Sequence, residues 1–140
     1  NAKEKTYLYR IWNSEIPCVF DRRFVTVMPE ALDLDAMNRA AQHLLGQHDF
    51  AAFCGNAKMK KSTVRYIRSL PVERQGEELW ITVTGNGFLH NMVRIIVGTL
   101  VETGRGDRDP DDIPELFSGK RADAGFLAPP QGLCLMEVYY

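Results

Sequence analysis

One cation is stranded inside an otherwise apolar run. Between Gly87 and Gly98 the chain reads Gly-Phe-Leu-His-Asn-Met-Val-Arg-Ile-Ile-Val-Gly, and Arg94 is the sole charge before Glu102. Apolar residues at 88, 89, 92, 93, 95, 96, 97, 100 and 101 leave no solvated face on a helix starting near Phe88, which is the pattern of a buried helix. A guanidinium does not release its proton and is costly to bury alone, so its fork calls for a carboxylate or a phosphate. The competing reading is an arginine whose stem carries its head to the surface. Periodicity alone leaves both open.

Other reactive residue types are less organised. His43, His48 and His90 lie far apart and lack companions at metal-ligand spacing. Cys18, Cys54 and Cys134 are an odd number without a CxxC, so they read as reduced thiols and not as a disulfide framework or a zinc site. His48 beside Asp49 is a candidate acid and base pair, although a local turn hydrogen bond is the plainer reading. There is no GxGxxG, Walker loop or GxSxG, and Gly104-Arg105-Gly106-Asp107 is too short, with too much acid after it, to be a phosphate loop. No nucleotide or other cofactor is expected.

Charge is unevenly spread. Lys58, Lys60, Lys61, Arg65 and Arg68 follow one another with no acid between residues 58 and 68, whereas residues 102 to 123 hold seven acids against four bases. The first run suits phosphates, or is a solvated loop; the second repels them. A net charge of -1 and a pI near 6.3 argue against a protein that coats nucleic acid indiscriminately.

The elements that must position these residues follow from the patterning. Residues 5 to 12 alternate, with Tyr7, Tyr9 and Ile11 on one face and Thr6, Leu8, Arg10 and Trp12 on the other, which predicts a strand. A short extended stretch runs from Phe24 to Met28. From Asp33, the plausible N-cap, Leu34, Met37, Ala40, Ala41, Leu44 and Leu45 mark a helix that Gly46 terminates. Gln47 to Phe53 reads as a compact polar and aromatic turn. Val64 to Val72 and Leu79 to Thr84 read as strands joined in a hairpin through Gln75 and Gly76. The buried helix follows to about Thr103, and Asp109-Pro110 opens a short helix ending at Phe117. Pro129 and Pro130 exclude regular structure before a closing strand, Leu133 to Tyr139. Four strands and three helices in this order predict one α+β domain over residues 1–140, a four-stranded, mainly antiparallel sheet with helices packed on one face.

With 140 residues, 45% of them hydrophobic, one real core is affordable and a second domain is not required. No stretch approaches the ~18 consecutive apolar residues of a membrane span and nothing at the start resembles a signal peptide, so a soluble, cytoplasmic protein is expected. The chain opens on Asn1 with a strand almost at once, as the later part of a longer protein would.

Several segments together resemble the TruA-type tRNA pseudouridine synthases. Lys5-Thr6-Tyr7-Leu8-Tyr9 is similar to that family's K-x-Y-x-Y strand, and Gly46 to Phe53 to its G-x-x-D-F-x-x-F turn. Gly87 to Gly98 resembles its G-F-L-x-x-M-V-R-x-x-V-G helix, and Ala128 to Leu133 its A-P-x-x-G-L approach to the last strand. The segments keep their order and span nearly the whole chain. The resemblance implies an isomerase that breaks the glycosidic bond of a uridine in the tRNA anticodon arm, turns the base and rejoins it through carbon, without a cofactor. It assigns Arg94 to the cation that keeps a catalytic aspartate ionised. Tyr7 matches the tyrosine that stacks on the base and takes its carbon-bound proton, and Leu133 the apolar residue on the base's other side. Lys60, Lys61 and Arg65 match a basic stretch that would hold the tRNA backbone.

The family's R-T-D-x-G segment, which carries the aspartate, is found nowhere in residues 1 to 140. Asp49 and Asp107 are poor substitutes. The chain therefore resembles the carboxyl-terminal half of such an enzyme, inactive alone and homodimeric when whole. Two other classes remain in view: a non-catalytic RNA-binding or assembly module of the same fold, and a small-molecule enzyme built on His48 and Asp49.

Overall fold

Alternation along the first strand organises the molecule. In the computed structural model, which describes residues 3–18, 22–56, 58 and 61–140, this strand is β1, Glu4–Trp12. The remaining elements are β2 (Thr26–Val27), α1 (Leu34–Leu44), β3 (Gly46–Asp49), β4 (Val64–Ser69), β5 (Val72–Gln75), β6 (Glu78–Gly85), α2 (Met92–Arg105) and β7 (Leu133–Tyr139). β6 runs antiparallel to β1 from Lys5↔Gly85 to Trp12↔Glu78. Along its other side β1 pairs first with β7, antiparallel from Glu4 to Tyr9, and then with β2, parallel at Ile11 and Trp12.

The sheet is thus seven-stranded, with the order β2-β1-β6-β4-β3 and with β5 beside β6 and β7 beside β1. That corrects the expected four. Pro71 divides the strand expected over Val64–Val72 into β4 and β5, because proline has no N–H to give to a ladder. β2 lies inside the extended stretch expected over Phe24–Met28, which is not among the four expected strands, while β3, of four residues, is too short for alternation to reveal and occupies the first half of the supposed turn at Gln47–Phe53. β7 pairs with β1 alone, so its outer backbone edge is open among the described residues, and Leu135, Met136 and Tyr139 on it are exposed.

Tyr9, Ile11, Leu79, Ile81 and Val83 are fully buried in one core with Met37, Ala40, Ala41 and Leu44 of α1 and Ile95, Ile96 and Leu100 of α2. Burying each large aliphatic side chain contributes roughly 1.5–3 kcal/mol. The alternate set on the same strands, Arg10, Glu78 and Trp80, stays partly exposed. Trp12 belongs to a small second cluster with Cys18 and Val25.

Asp33 caps α1 as its residue type predicts, its Oδ1 accepting from the Ala36 N–H at 3.0 Å, and Gly46, at φ +95°, stands just past the helix end. The helix expected from Phe88 begins only at Met92, because Asn91 adopts a left-handed backbone and Gly87–His90 form an irregular approach. The helix expected after Asp109 is a 3₁₀ helix, Pro110–Ser118, with Pro114 inside it.

An extended segment straps α2 on its outer side. The Gly125 N–H donates to Thr99 Oγ1 (2.9 Å), Phe126 N–H to Glu102 Oε2 (3.0 Å) and Ala128 N–H to the Arg94 carbonyl (3.2 Å). This approach needs glycine in the helix, since a Cβ on Gly98 would lie 1.7 Å from the Phe126 carbonyl oxygen. Among the described residues no helix is long and apolar enough to cross a membrane.

Candidate active site

Strand β1, helix α2 and strand β7 each send one side chain to the same place. Tyr7, Arg94 and Leu133 line a pocket of about 110 Å³ together with Phe88, Leu89, Asn91, Met92 and Val93. Tyr7 shares its face of β1 with the buried Tyr9 and Ile11, but lies nearer the strand's start, half-buried and packed against the core. The Phe88 ring stands edge-on to it, with centroids 5.2 Å apart and planes at 89°. Leu133 pairs with Tyr9 in the ladder and is likewise half-buried.

Arg94 is half-buried and, among the described residues, meets no carboxylate. Its Nε donates to the Ala128 carbonyl at 2.7 Å and its Nη1 to Asn91 Oδ1 at 3.3 Å. Among the described residues no carboxylate oxygen lies within 4.0 Å of it. Two neutral oxygens orient the guanidinium and leave its charge uncompensated, with N–H groups to spare for an anion. The pocket can therefore offer a flat aromatic face, an aliphatic face and one positive charge.

Tyr9 supports this site from below. Its hydroxyl donates to the Pro129 carbonyl (2.6 Å) and accepts from Thr26 Oγ1 (2.7 Å). Burial pushes the phenol above its ordinary pKa, against the Thr26 hydrogen bond and the charge of Arg94, which pull it down. A neutral phenol is what that donation requires. Tyr9 and the strap thus locate the turn leading into Leu133, where a Cβ on Gly132 would come within 2.8 Å of Tyr9 Cζ and the Arg10 carbonyl oxygen.

The basic run is brought less close. Lys61 is exposed, and Arg65 gives its Nη1 to the carbonyls of Ser62 (2.7 Å) and Val64 (2.8 Å). A Cβ on Gly87, next to Phe88, would stand 3.6 Å from Arg65 Nε, so Arg65 flanks the approach to the pocket. Arg68 is tied to Glu4. Lys60 lies outside the described residues.

His48 and Asp49 do not form a pair. His48 Nε2 bonds the Leu45 carbonyl (2.7 Å) and its ring stacks on Phe117 at 4.0 Å, while Asp49 Oδ1 accepts from Ala51 N–H (3.0 Å) and Thr63 Oγ1 (2.6 Å). Both make the local bonds of the plainer reading. No three His, Cys, Asp or Glu side chains among the described residues stand together as metal ligands.

Patterning misses Asn91, the Ala128 carbonyl and the clamp made by Tyr9. An asparagine directly before an apolar helical run is a usable signal for the first, since asparagine tolerates left-handed backbone; the other two depend on tertiary approach. Phe88, expected in the core, is only half-buried and forms a wall of the pocket.

A family model described as tRNA pseudouridine synthase matches residues 40–140. The whole chain aligns at 48% identity with tRNA pseudouridine synthase A of Geotalea uraniireducens, covering 58% of that protein, and at 46% with the protein of that name from Brevibacillus brevis, again covering 58%. Over 99% of its length it is 45% identical to tRNA pseudouridine synthase A of Acetivibrio thermocellus, covering 57% of it. The chain spans somewhat more than half the length of these relatives, and it belongs to the tRNA pseudouridine synthase family.

Proposed function

We propose that this chain is the later half of a tRNA pseudouridine synthase, forming one wall of the active-site cleft and supplying the counter-ion but not the nucleophile. The observation that carries this reading is the convergence of Tyr7, Arg94 and Leu133 on one pocket, with the Arg94 fork held, among the described residues, by neutral oxygens. An aspartate from the other half completes the site, and Arg94 keeps it ionised where water is sparse. The uracil of an extruded uridine lies between Tyr7 and Leu133. The bond from N1 to C1′ of the ribose breaks, the base turns while still held, C5 bonds to C1′, the C5 proton leaves to Tyr7 or to water, and N1 takes up a proton in its place. The chemistry is an isomerisation, so nothing is consumed and no cofactor is called for.

Uridines of the tRNA anticodon arm are the substrate in this reading. Lys60, Lys61 and Arg65 contact the tRNA backbone, the complete enzyme is a cytoplasmic homodimer, and the open edge of β7 receives the sheet of the other half. Tritium release from uracil-C5-labelled tRNA tests it, with this chain alone and with a longer protein that contains it. Release from the longer protein only is expected. Release by the chain alone would mean that its own residues include the nucleophile, and release by neither would favour an RNA-binding module.

A further inference from the structure

Asn91 is the one residue other than glycine with a positive φ among the described residues, at φ 60°, and it stands in the wall of the pocket. A left-handed backbone is disfavoured for any residue with a Cβ, and such conformations persist where the surroundings enforce them. Capping does not account for this one, because the Asn91 side chain accepts no backbone N–H of the first turn of α2. Its amide is directed elsewhere. Oδ1 accepts from Arg94 Nη1 at 3.3 Å, and Nδ2 donates to His90 Nε2 at 3.3 Å. With the amide nitrogen held by His90, the oxygen is the end that faces the guanidinium.

The backbone behind this pair is braced. Gly55 N–H donates to the His90 carbonyl at 2.8 Å, and a Cβ on Gly55 would lie 3.0 Å from His90 Cδ2 and 3.1 Å from Asn91 Nδ2. The loop at Gly55 therefore packs closely against His90 and Asn91, and a side chain there would press on both. On the opposite side the Ala128 carbonyl takes Arg94 Nε at 2.7 Å. Two oxygens from separate segments fix a planar group in direction as well as in place, which a single one does not.

We infer that Asn91 is a positioning residue for the reaction: its amide oxygen sets the plane of the Arg94 guanidinium, and its left-handed backbone is what brings that oxygen within reach. This rests on the reading of Arg94 as counter-ion to the catalytic carboxylate. The residue acts through Arg94 and does not itself touch the reacting atoms.

The test uses the complete enzyme, with turnover, tRNA affinity and thermal stability read for each variant. Asn91→Gly permits the left-handed backbone while removing the oxygen, and should lower kcat about ten-fold, the order of one hydrogen bond to a charged group, with tRNA Kd and Tm close to wild type. Asn91→Ala also strains the backbone and should lower kcat and Tm together. Wild-type kcat in Asn91→Gly would overturn the inference, leaving Asn91 a purely conformational residue. A fall in Tm or tRNA affinity matching the fall in rate would overturn it too. Arg94→Met, measured beside them, separates the two levels: full turnover there sinks the counter-ion reading itself, whereas an inactive Arg94→Met beside a fully active Asn91→Gly sinks only the role given to Asn91.

Discussion

Arg10 and Arg94 flank the same sheet and are bound in opposite ways. On the partly exposed face, Arg10 gives Nε and Nη2 to the two oxygens of Glu78 at 2.7 and 2.8 Å, and Arg68 closes on Glu4 in the same bidentate manner at 2.8 and 3.2 Å. In the pocket, Arg94 has a carbonyl and an amide oxygen and, among the described residues, no anion. A fork closed on its own chain's carboxylate has used its charge for structure. One oriented by neutral groups keeps its charge for something else, at a desolvation cost the fold must offset elsewhere.

The contrast can be broken in several places. Arg94→Met in the complete enzyme should lower turnover by about 100-fold or more, as loss of an electrostatic partner in a poorly solvated site does, with tRNA binding nearly unchanged; equal losses of rate and affinity in filter-binding and tritium assays would reassign Arg94 to phosphate contact. Gly98→Ala drives a methyl group into the Phe126 carbonyl and should destabilise by about 2–4 kcal/mol in chemical denaturation, by displacing the strap that also carries the Ala128 oxygen. A neutral result there would show that Arg94 is held without the strap. Changing Lys60 and Lys61 together to Ala should weaken tRNA binding and reduce the slope of log K against log salt by about 1–2; an unaltered slope makes that loop solvated surface.

The smallest effect belongs to Arg10. Arg10→Met should cost about 1 kcal/mol of stability and leave turnover intact. Its hydrogen bond to Glu78 holds that carboxyl below its ordinary value of 4.5. A depressed carboxyl contributes stability that is fully present above the unfolded value and disappears as pH falls through the folded one. Melting curves of wild type and Arg10→Met should therefore begin to approach one another as pH falls below about 4.5 and meet only below the depressed folded value. A turnover defect in Arg10→Met like that of Arg94→Met would erase the distinction between the two faces.

Much of this arrangement was legible in the residues because it is local. Alternation along Tyr7–Trp12 marks β1, Asp33 and Gly46 bracket α1, and one charge in an apolar run singles out Arg94. What stayed hidden depends on encounters between distant segments. The length of the buried run concealed a start delayed to Met92, since the backbone of Asn91 is settled by His90, Gly55 and Arg94 rather than by helical propensity. The extended stretch at Phe24–Met28 was legible but not its pairing, and β3 exists because β4 offers it a ladder, which nothing within four residues announces. That Leu133 faces Tyr7 and Arg94 follows from the ladder between β7 and β1 and from the clamp of Tyr9 on Pro129, neither of which has a period to read.

The open edge of β7 has a bearing on how the chain behaves in a tube. A row of N–H and C=O groups unpaired among the described residues, flanked by Leu135, Met136 and Tyr139, is a template on which any extended strand can dock, another β7 included. Handled apart from whatever normally lies there, this polypeptide is expected to grow stickier with concentration. A lysine at Met136 would act as a gatekeeper, extending the life of the sample without touching the core.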